Sequence, residues 1–388
     1  MTDSWLAGWV RDNHAELVEI RRRIHARPEL AFHEFATTKL LVGRLAKAGL
    51  RPRLLPCGTG LVVDVGSGPP TVALRADLDA LPVDDVKAVP YRSTVSGACH
   101  ACGHDAHTTI ALGAALALAE APDLPGRVRV IFQPAEERMG GAREVIGSGE
   151  LDGVERVFAL HCDAHLPVGQ VGVRVGPITA ACDRVEVRLD GPGGHTARPH
   201  LTVDLVDMLA RIAVSTPALL TRRVDTRAGL SLVWGAIQAG EAANAIPSSG
   251  VLRGTVRVLD HEAWADAEKQ VSAAVADAAA GTGASIDIRY EPGVPPVVND
   301  EATVAMLRAA VSAELGAQAI VGTRTSMGGE DFAWYGEHVP VAMARLGTHS
   351  DQLATVRDLH QGNFDIDEEA LDVGVRVLVR TALTALAG

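Results

Sequence analysis

The chain lacks a long apolar run, a basic footprint and a paired set of cysteines, and each absence closes a class of function. Its longest apolar stretch, residues 110–119, is too short and too rich in small residues for a bilayer span, which takes about 20 apolar residues. Lys and Arg number 36 against 48 Asp and Glu, a formal charge of −12, so neither nucleic acid nor a membrane is an expected partner. The one basic run, Arg21-Arg22-Arg23, falls in a helical pattern and reads as a solvated face. Five cysteines, at positions 57, 99, 102, 162 and 182, make an odd and sparse set that suits a reducing compartment better than a disulfide framework. The opening Met1-Thr2-Asp3-Ser4-Trp5 shows no charged segment followed by an apolar one, so no secretory signal is read and a cytoplasmic location is expected.

What is present suits a soluble enzyme of two domains. The 388 residues are long for one core, and 47% hydrophobic with 22% charged residues is an ordinary globular balance. Helical periodicity covers residues 4–26 and 34–48. Strand-like runs follow at 61–65 and 71–75, then helix 105–120, strand 127–132, helix 141–146 and strand 156–161. That alternation predicts a mainly parallel sheet covered on both faces. The middle changes character: strand 185–189, helix 203–220, strands 230–237 and 251–258, helix 262–280 and strand 285–290. This βαββαβ order is the split unit of ferredoxin-like domains and can bury its own core. An insertion over 183–292 is expected, dividing a first domain into 1–182 and 293–388. The second part carries helix 301–315, strand 341–346 and helix 368–386.

The chemistry concentrates in Cys99-His100-Ala101-Cys102-Gly103-His104-Asp105-Ala106-His107, five cysteine and histidine side chains in nine residues with an aspartate among them. Thiolate and imidazole are the softer protein ligands, suited to zinc and its neighbours. A dithiol reading leaves the histidines superfluous, and a closed structural zinc site would want a second matched pair that the chain lacks. An open catalytic site completed by distant residues is the third reading, and pieces for it exist. Glu136 and Glu137 follow a strand directly; adjacent carboxylates there can divide labour, one holding a metal and the other moving a proton. His161 ends the next expected strand, where ligands of open α/β sheets gather, and His360 lies in a short loop before the last helix. Nearby His165 reads as an exposed loop residue. Asp77 and Asp79, just past strand 71–75, either hold a liganding histidine in its tautomer or cap a turn.

Six ordered motifs then carry a resemblance: Arg75-Ala76-Asp77-Leu78-Asp79-Ala80-Leu81-Pro82, His100-Ala101-Cys102-Gly103-His104-Asp105, Gln133-Pro134-Ala135-Glu136-Glu137, Gly194-His195-Thr196-Ala197-Arg198-Pro199-His200, Asn244-Ala245-Ile246-Pro247 and Met327-Gly328-Gly329-Glu330-Asp331-Phe332. Together they resemble the amidohydrolase branch of the co-catalytic metallopeptidase family that contains hippurate hydrolases, indole-acetyl-amino-acid hydrolases and N-acyl-L-amino-acid amidohydrolases. The resemblance implies an α/β catalytic domain with an inserted ferredoxin-like α+β lid and dimerisation domain. It implies two divalent ions, manganese or zinc with cobalt or nickel as further candidates, on Cys102, His104, Glu137, His161 and His360. Five ligands exceed one tetrahedral shell, which favours a metal pair.

The same resemblance makes Glu136 the general base for a metal-activated water and counts Asp77 with the catalytic set. His195 would reach the partner subunit's site in a homodimer and donate to the oxyanion. Asn244, Arg257, Gly328 and Gly329 would meet the substrate, a small N-acyl amino acid; for Arg257 a salt bridge within the lid is an equal alternative. Asp105 is expected as an orienting or capping carboxylate and His107 as packing beside the site. Cys99 stands where these relatives usually carry methionine and reads as a small buried residue, and Asp163-Ala164-His165 replaces a segment that often carries proline. The implied activity is hydrolysis of N-acyl-L-amino acids, with a dipeptidase or desuccinylase of the same fold as the near alternative. A cysteine-nucleophile hydrolase on Cys102 and a non-catalytic binding protein are the rivals from other classes.

Overall fold

A computed structural model describes residues 3–69, 71–281, 283–351 and 356–388; Met1 and Thr2, at the head of the segment read for a secretory signal, lie outside these. Along the chain run helices α1 (Asp3–His25) and α2 (Phe35–Lys47), then strands β1 (Arg53–Leu54), β2 (Leu61–Gly66) and β3 (Thr71–Asp77). Helix α3 (His104–Ala119), β4 (Arg127–Gln133), α4 (Gly141–Gly147), β5 (Arg156–Pro167), β6 (Val171–Val173) and β7 (Gly176–Pro177) follow. The middle holds β8 (Ala181–Asp190), β9 (Gly194–His195), α5 (Leu205–Arg223), β10 (Ser231–Ala239), β11 (Ala245–Ile246), β12 (Ser249–Val258), α6 (His261–Ala265), α7 (Ala267–Ala278) and β13 (Ser285–Val294). The chain closes with β14 (Val298–Asn299), α8 (Glu301–Leu315), β15 (Ile320–Gly322), α9 (Ala333–Gly336), β16 (Val341–His349) and α10 (Glu369–Ala387). No helix among the described residues is long and apolar enough to cross a membrane.

Two compact units result. The first is Met1–Ile178 with Val298–Arg324 and Trp334–Gly388; the second is Thr179–Val297 with Thr325–Ala333. The first holds a mixed sheet in the order β1-β2-β4-β3-β5-β16-β6-β15. Its four central strands, β4, β3, β5 and β16, run parallel, while β2 and β6 pair antiparallel with their central neighbours. All of β3 is buried, as a strand covered on both faces must be. Strands of two or three residues at β1, β6 and β15 are too short to leave a readable period, and β5 continues six residues beyond the expected end at His161.

Helix α3 is buried around its whole circumference, polar first turns included, and lies in the core against α1 and α10. The contact with α10 is close enough to need glycine on both sides. A Cβ on Gly113 would meet Val375 Cγ2 at 2.7 Å, and one on Gly374 would meet Ile110 Cδ1 at 2.5 Å. The second unit carries the antiparallel sheet β10-β12-β8-β13 with its own apolar core, including Val185, Val187, Leu209, Ile212, Val271 and Val275. The helix expected over 262–280 is two, α6 and α7, meeting at Asp266. Helix α5 starts at Leu205 because Asp204 caps it, accepting from the amides of Val206 and Asp207.

Arg21 corrects the sequence reading of a solvated basic face. Leu17, Ile20, Arg21, Ile24 and His25 form the buried stripe of α1, and only Arg22 and Arg23 reach water. The Arg21 guanidinium donates to Asp105 at 2.8 Å, Asp365 at 2.7 Å and Glu368 at 3.2 Å. Asp105 in turn faces His25 Nδ1 at 2.7 Å, and His25 Nε2 lies 3.2 Å from Asp85. Asp105 is thus an ion-pair partner and not the helix cap; Gly103 takes the cap position at φ 85° with no side-chain bond.

Burial opposes protonation of His25, but Asp105 and Asp85 outweigh it and raise its pKa to about 10. A raised folded-state pKa stabilises the fold in full below the unfolded value of 6.5, and the contribution is lost as pH rises through about 10. His25→Gln is expected to lose about 3–5 kcal/mol in chemical denaturation below pH ~6.5, the usual cost of breaking a buried pair, and far less above pH ~10. An equal loss at both pH values would contradict the account.

Candidate functional site

Strands β3 and β4 are parallel neighbours with Asp77 opposite Gln133, so the loops leaving their C-terminal ends lie side by side. Asp79, in the first loop, accepts the Glu136 amide on one carboxylate oxygen at 3.0 Å and the Glu137 amide on the other at 3.0 Å. The preceding Ala135 has a left-handed φ of 54°, and its amide donates to Glu34 at 2.9 Å. The two glutamates face His104 together but differ beyond it. Glu137 Oε1 stands 3.9 Å from His104 Nε2 and 3.7 Å from His360 Nε2, while Glu136 Oε2 lies 4.0 Å from His104 Nε2.

The nine-residue cluster supplies the opposite wall. Gly103 turns the chain between Cys102 and His104, and a Cβ there would sit 2.8 Å from Cys162 Sγ. His104 Nδ1–H donates to the Asp79 carbonyl at 2.9 Å, which aims Nε2 inward, where it is buried without a hydrogen-bond partner among the described residues. His161 Nδ1–H donates to the Cys162 carbonyl at 2.8 Å, leaving Nε2 3.6 Å from Cys102 Sγ. His360 comes from its loop at φ 63°, held by its amide on the Ala101 carbonyl at 2.8 Å. His107 has both nitrogens engaged: Nδ1 with Asp77 at 2.7 Å, and Nε2 accepting from the Cys162 amide at 2.8 Å. It therefore braces the site and offers no donor to an ion.

Burial pushes the Cys102 thiol up to about 11, with His104 opposing the shift. Burial also lowers the pKa of His161, helped by Arg345, and that of His360, helped by His104, so both rings present neutral lone pairs. For His104 burial is outweighed by Asp77 and Cys102, which hold it well above its ordinary value. Asp77 is held well below the carboxylate range in spite of burial by His104, His107 and Arg75.

The donor set fits a divalent cation. Donor atoms of Cys102, His104 and His161 lie within 4.8 Å of one another, and so do those of Cys102, Glu137 and His360. Two donors at bond lengths of ~2.0–2.3 Å on a tetrahedral ion stand roughly 3.3–3.8 Å apart, close to the separations seen here. The inward Nε2 of His104, from which a cation would displace the proton that Asp77 and Cys102 favour, and the backbone-held Nδ1–H groups of His104 and His161 suit such an ion.

Of the residues expected from sequence, Asp77, Cys102, His104, Glu136, Glu137, His161 and His360 converge in the first unit. His161 does so from mid-strand instead of a strand end, and His165 is exposed but lies within β5, not in a loop. Cys99 stands apart from the cluster, its thiol 3.6 Å from Lys87 Nζ. In the second unit the short pairing of β9 with β11 sets His195 opposite Ala245, next to Asn244. His195 and Gly328 are exposed, Gly329 is half-buried, and Arg257 sits on central strand β12 with Nη1 buried and without a hydrogen-bond partner among the described residues. Glu34, Arg75 and Asp85 were not singled out from sequence; Glu34 reads there as the first residue of a helix.

Comparison with known proteins follows the same lines. A family model described as peptidase family M20/M25/M40 matches residues 73–384. The N-acetyl-L-cysteine deacetylase of Bacillus subtilis (strain 168) is 38% identical over 92% of this chain and 85% of its own length. The IAA-amino acid hydrolase ILR1-like 4 of Arabidopsis thaliana is 35% identical over 92% of this chain and 83% of its own. A Rhodococcus jostii (strain RHA1) protein that carries the name glutamate--cysteine ligase 2-3 is 50% identical, and the chain spans 46% of its length. The crystal structure of the Bacillus subtilis YXEP protein, described as a dinuclear metal binding peptidase from the M20 family, superposes with a TM-score of 0.86 at 34% identity, covering 97% of this chain and 99% of that one.

Asp77→Ala removes the carboxylate that faces both Arg75 and His107 in a buried setting. It is expected to cost about 3–5 kcal/mol in denaturant unfolding, the usual penalty for breaking a buried ion pair. A loss under about 1 kcal/mol, the range of exposed pairs, would show that Asp77 does not hold this region together.

Proposed function

The chain belongs to peptidase family M20/M25/M40, and from that premise we propose that it hydrolyses the amide of small N-acyl-L-amino acids, hippurate-like or N-acetyl, with a pair of divalent ions. Cys102, His104, Glu137, His161 and His360 would hold the ions, manganese or zinc, with cobalt or nickel also compatible with the donor set. Bound there, the ions supply Lewis acidity and draw the pKa of water toward neutrality. Glu136 takes the proton of the attacking water and delivers it to the leaving nitrogen. Asp79 keeps that carboxylate in place through its backbone, and Asp77 keeps His107 and Arg75 fixed beneath the site.

The observation that carries this reading is the convergence of five donor residues from four separate segments around a carboxylate able to move a proton. The names of the deacetylase and the amino acid hydrolase among the relatives support the substrate class. Arg257 would take the substrate carboxylate; its partnerless Nη1 favours that role over a lid salt bridge. Asn244, Gly328 and Gly329 would line the pocket. His195 would donate to the oxyanion in the partner subunit's site of a homodimer formed through the inserted domain.

Manganese- or zinc-loaded protein is expected to release free amino acid from hippurate and N-acetyl-amino acids, and chelation should abolish the activity. Glu136→Gln should keep its metal and its unfolding midpoint while losing about 100-fold or more in kcat. Full activity after chelation, or in Glu136→Gln, would overturn the mechanism. For the shared site, inactive His195→Ala and Glu136→Gln chains mixed into heterodimers should recover up to half of the native sites' activity, whereas no recovery would remove His195 from the partner's site.

A further inference from the structure

We propose that Glu34 is a positioning residue that sets the direction of the base-bearing loop, an inference that rests on the amidohydrolase reading above. Its side chain is fully buried at the head of α2. One oxygen, Oε1, accepts two amides, that of Phe32 at 3.0 Å and that of Ala135 at 2.9 Å. Both residues have left-handed backbones, φ 63° and 54°, which cost a non-glycine residue about 1–2 kcal/mol each. A single buried acceptor thus meets the amides of two strained residues in two different loops.

Ala135 immediately precedes Glu136, whose amide goes with that of Glu137 to Asp79. Three successive amides are therefore fixed by two buried carboxylates, and the peptide planes from which the two glutamates branch are fixed with them. The turn that follows closes on itself: the Met139 amide donates to the Glu136 carbonyl at 2.7 Å, and those of Gly140 and Gly141 to the Ala135 carbonyl at 3.3 Å each. Such a turn moves as one piece, and its hold on the rest of the unit sets where it sits. Glu34 is well placed to supply that hold. Glu29 accepts the amides of Ala36 and Thr37 at 2.8 Å, and its carbonyl accepts the Ala80 amide at 2.8 Å. The segment 29–37 consequently bonds both the loop of Asp79 and the loop of Glu136.

The oxygen, not the charge, does this work. Glutamine keeps a carbonyl oxygen at the same reach, and its NH2 group in place of Oε2 would face the Thr59 hydroxyl, which can accept as well as donate. Aspartate keeps the charge but falls short by one methylene, roughly 1.5 Å, and cannot meet both amides. In metal-loaded protein, Glu34→Gln should keep kcat within about threefold, while Glu34→Asp should lose about 100-fold in kcat with KM little changed, as a displacement near 1 Å does. Amide exchange over residues 135–137, measured under conditions where both variants are folded, should quicken in Glu34→Asp and stay slow in Glu34→Gln.

The reverse order of the two variants would assign Glu34 a role of charge and overturn the proposal. So would unchanged exchange in Glu34→Asp, or losses in both variants that match only their fractions unfolded. If the wild-type protein hydrolyses no N-acyl amino acid, the functional reading falls, and the exchange comparison still decides whether Glu34 holds the loop.

Discussion

Asp79 holds the two halves of the site together. A parallel sheet brings the ends of β3 and β4 side by side but leaves the loops beyond them free to wander. The bidentate grip on the Glu136 and Glu137 amides removes that freedom, and the Asp79 carbonyl sets the His104 tautomer in the same stroke. One residue thereby orients the base, one carboxylate donor and one imidazole donor. Because each bond runs to backbone or to a ring with a fixed tautomer, little reorganisation remains when an ion or substrate arrives.

Behind this lies a layer of buried charge that an enzyme core would ordinarily avoid. Arg21 and His25 from α1 meet Asp105 of α3, while Asp365 joins Arg21 from the segment before α10 and accepts from the Tyr91 hydroxyl at 2.8 Å. Asp105 adjoins His104, so this network fixes the first turn of the helix that carries an inward-facing imidazole. Buried ion networks of this kind contribute little net stability but are costly to break, which suits a role in registering α1, α3 and the loop before α10.

The chemistry was more legible in the sequence than the scaffolding that aims it. Glu136, Glu137, His161 and His360 stand out as residue types that a core does not request, and Cys102 and His104 by the mixture of residues around them. Arg21, His25 and Glu34 do not, because a charged residue in a helical pattern reads as solvated unless its partner is known, and their partners lie tens to hundreds of positions away. The long strands and helices follow their hydrophobic periods. Strands of two or three residues leave no period, which is why the β9–β11 pairing that sets His195 beside Asn244 reads as loop. Arg257 was singled out with its role open between substrate and lid, and its partnerless Nη1 bears on that choice.

The central claim is that these donors hold a pair of metal ions. Anomalous X-ray diffraction from crystals of the manganese- or zinc-loaded protein tests it most directly. The account predicts two anomalous peaks roughly 3.5–4 Å apart, the spacing of co-catalytic metal pairs, bounded by Cys102, His104, Glu137, His161 and His360. A lone peak, or ions bound away from these five side chains, would contradict it.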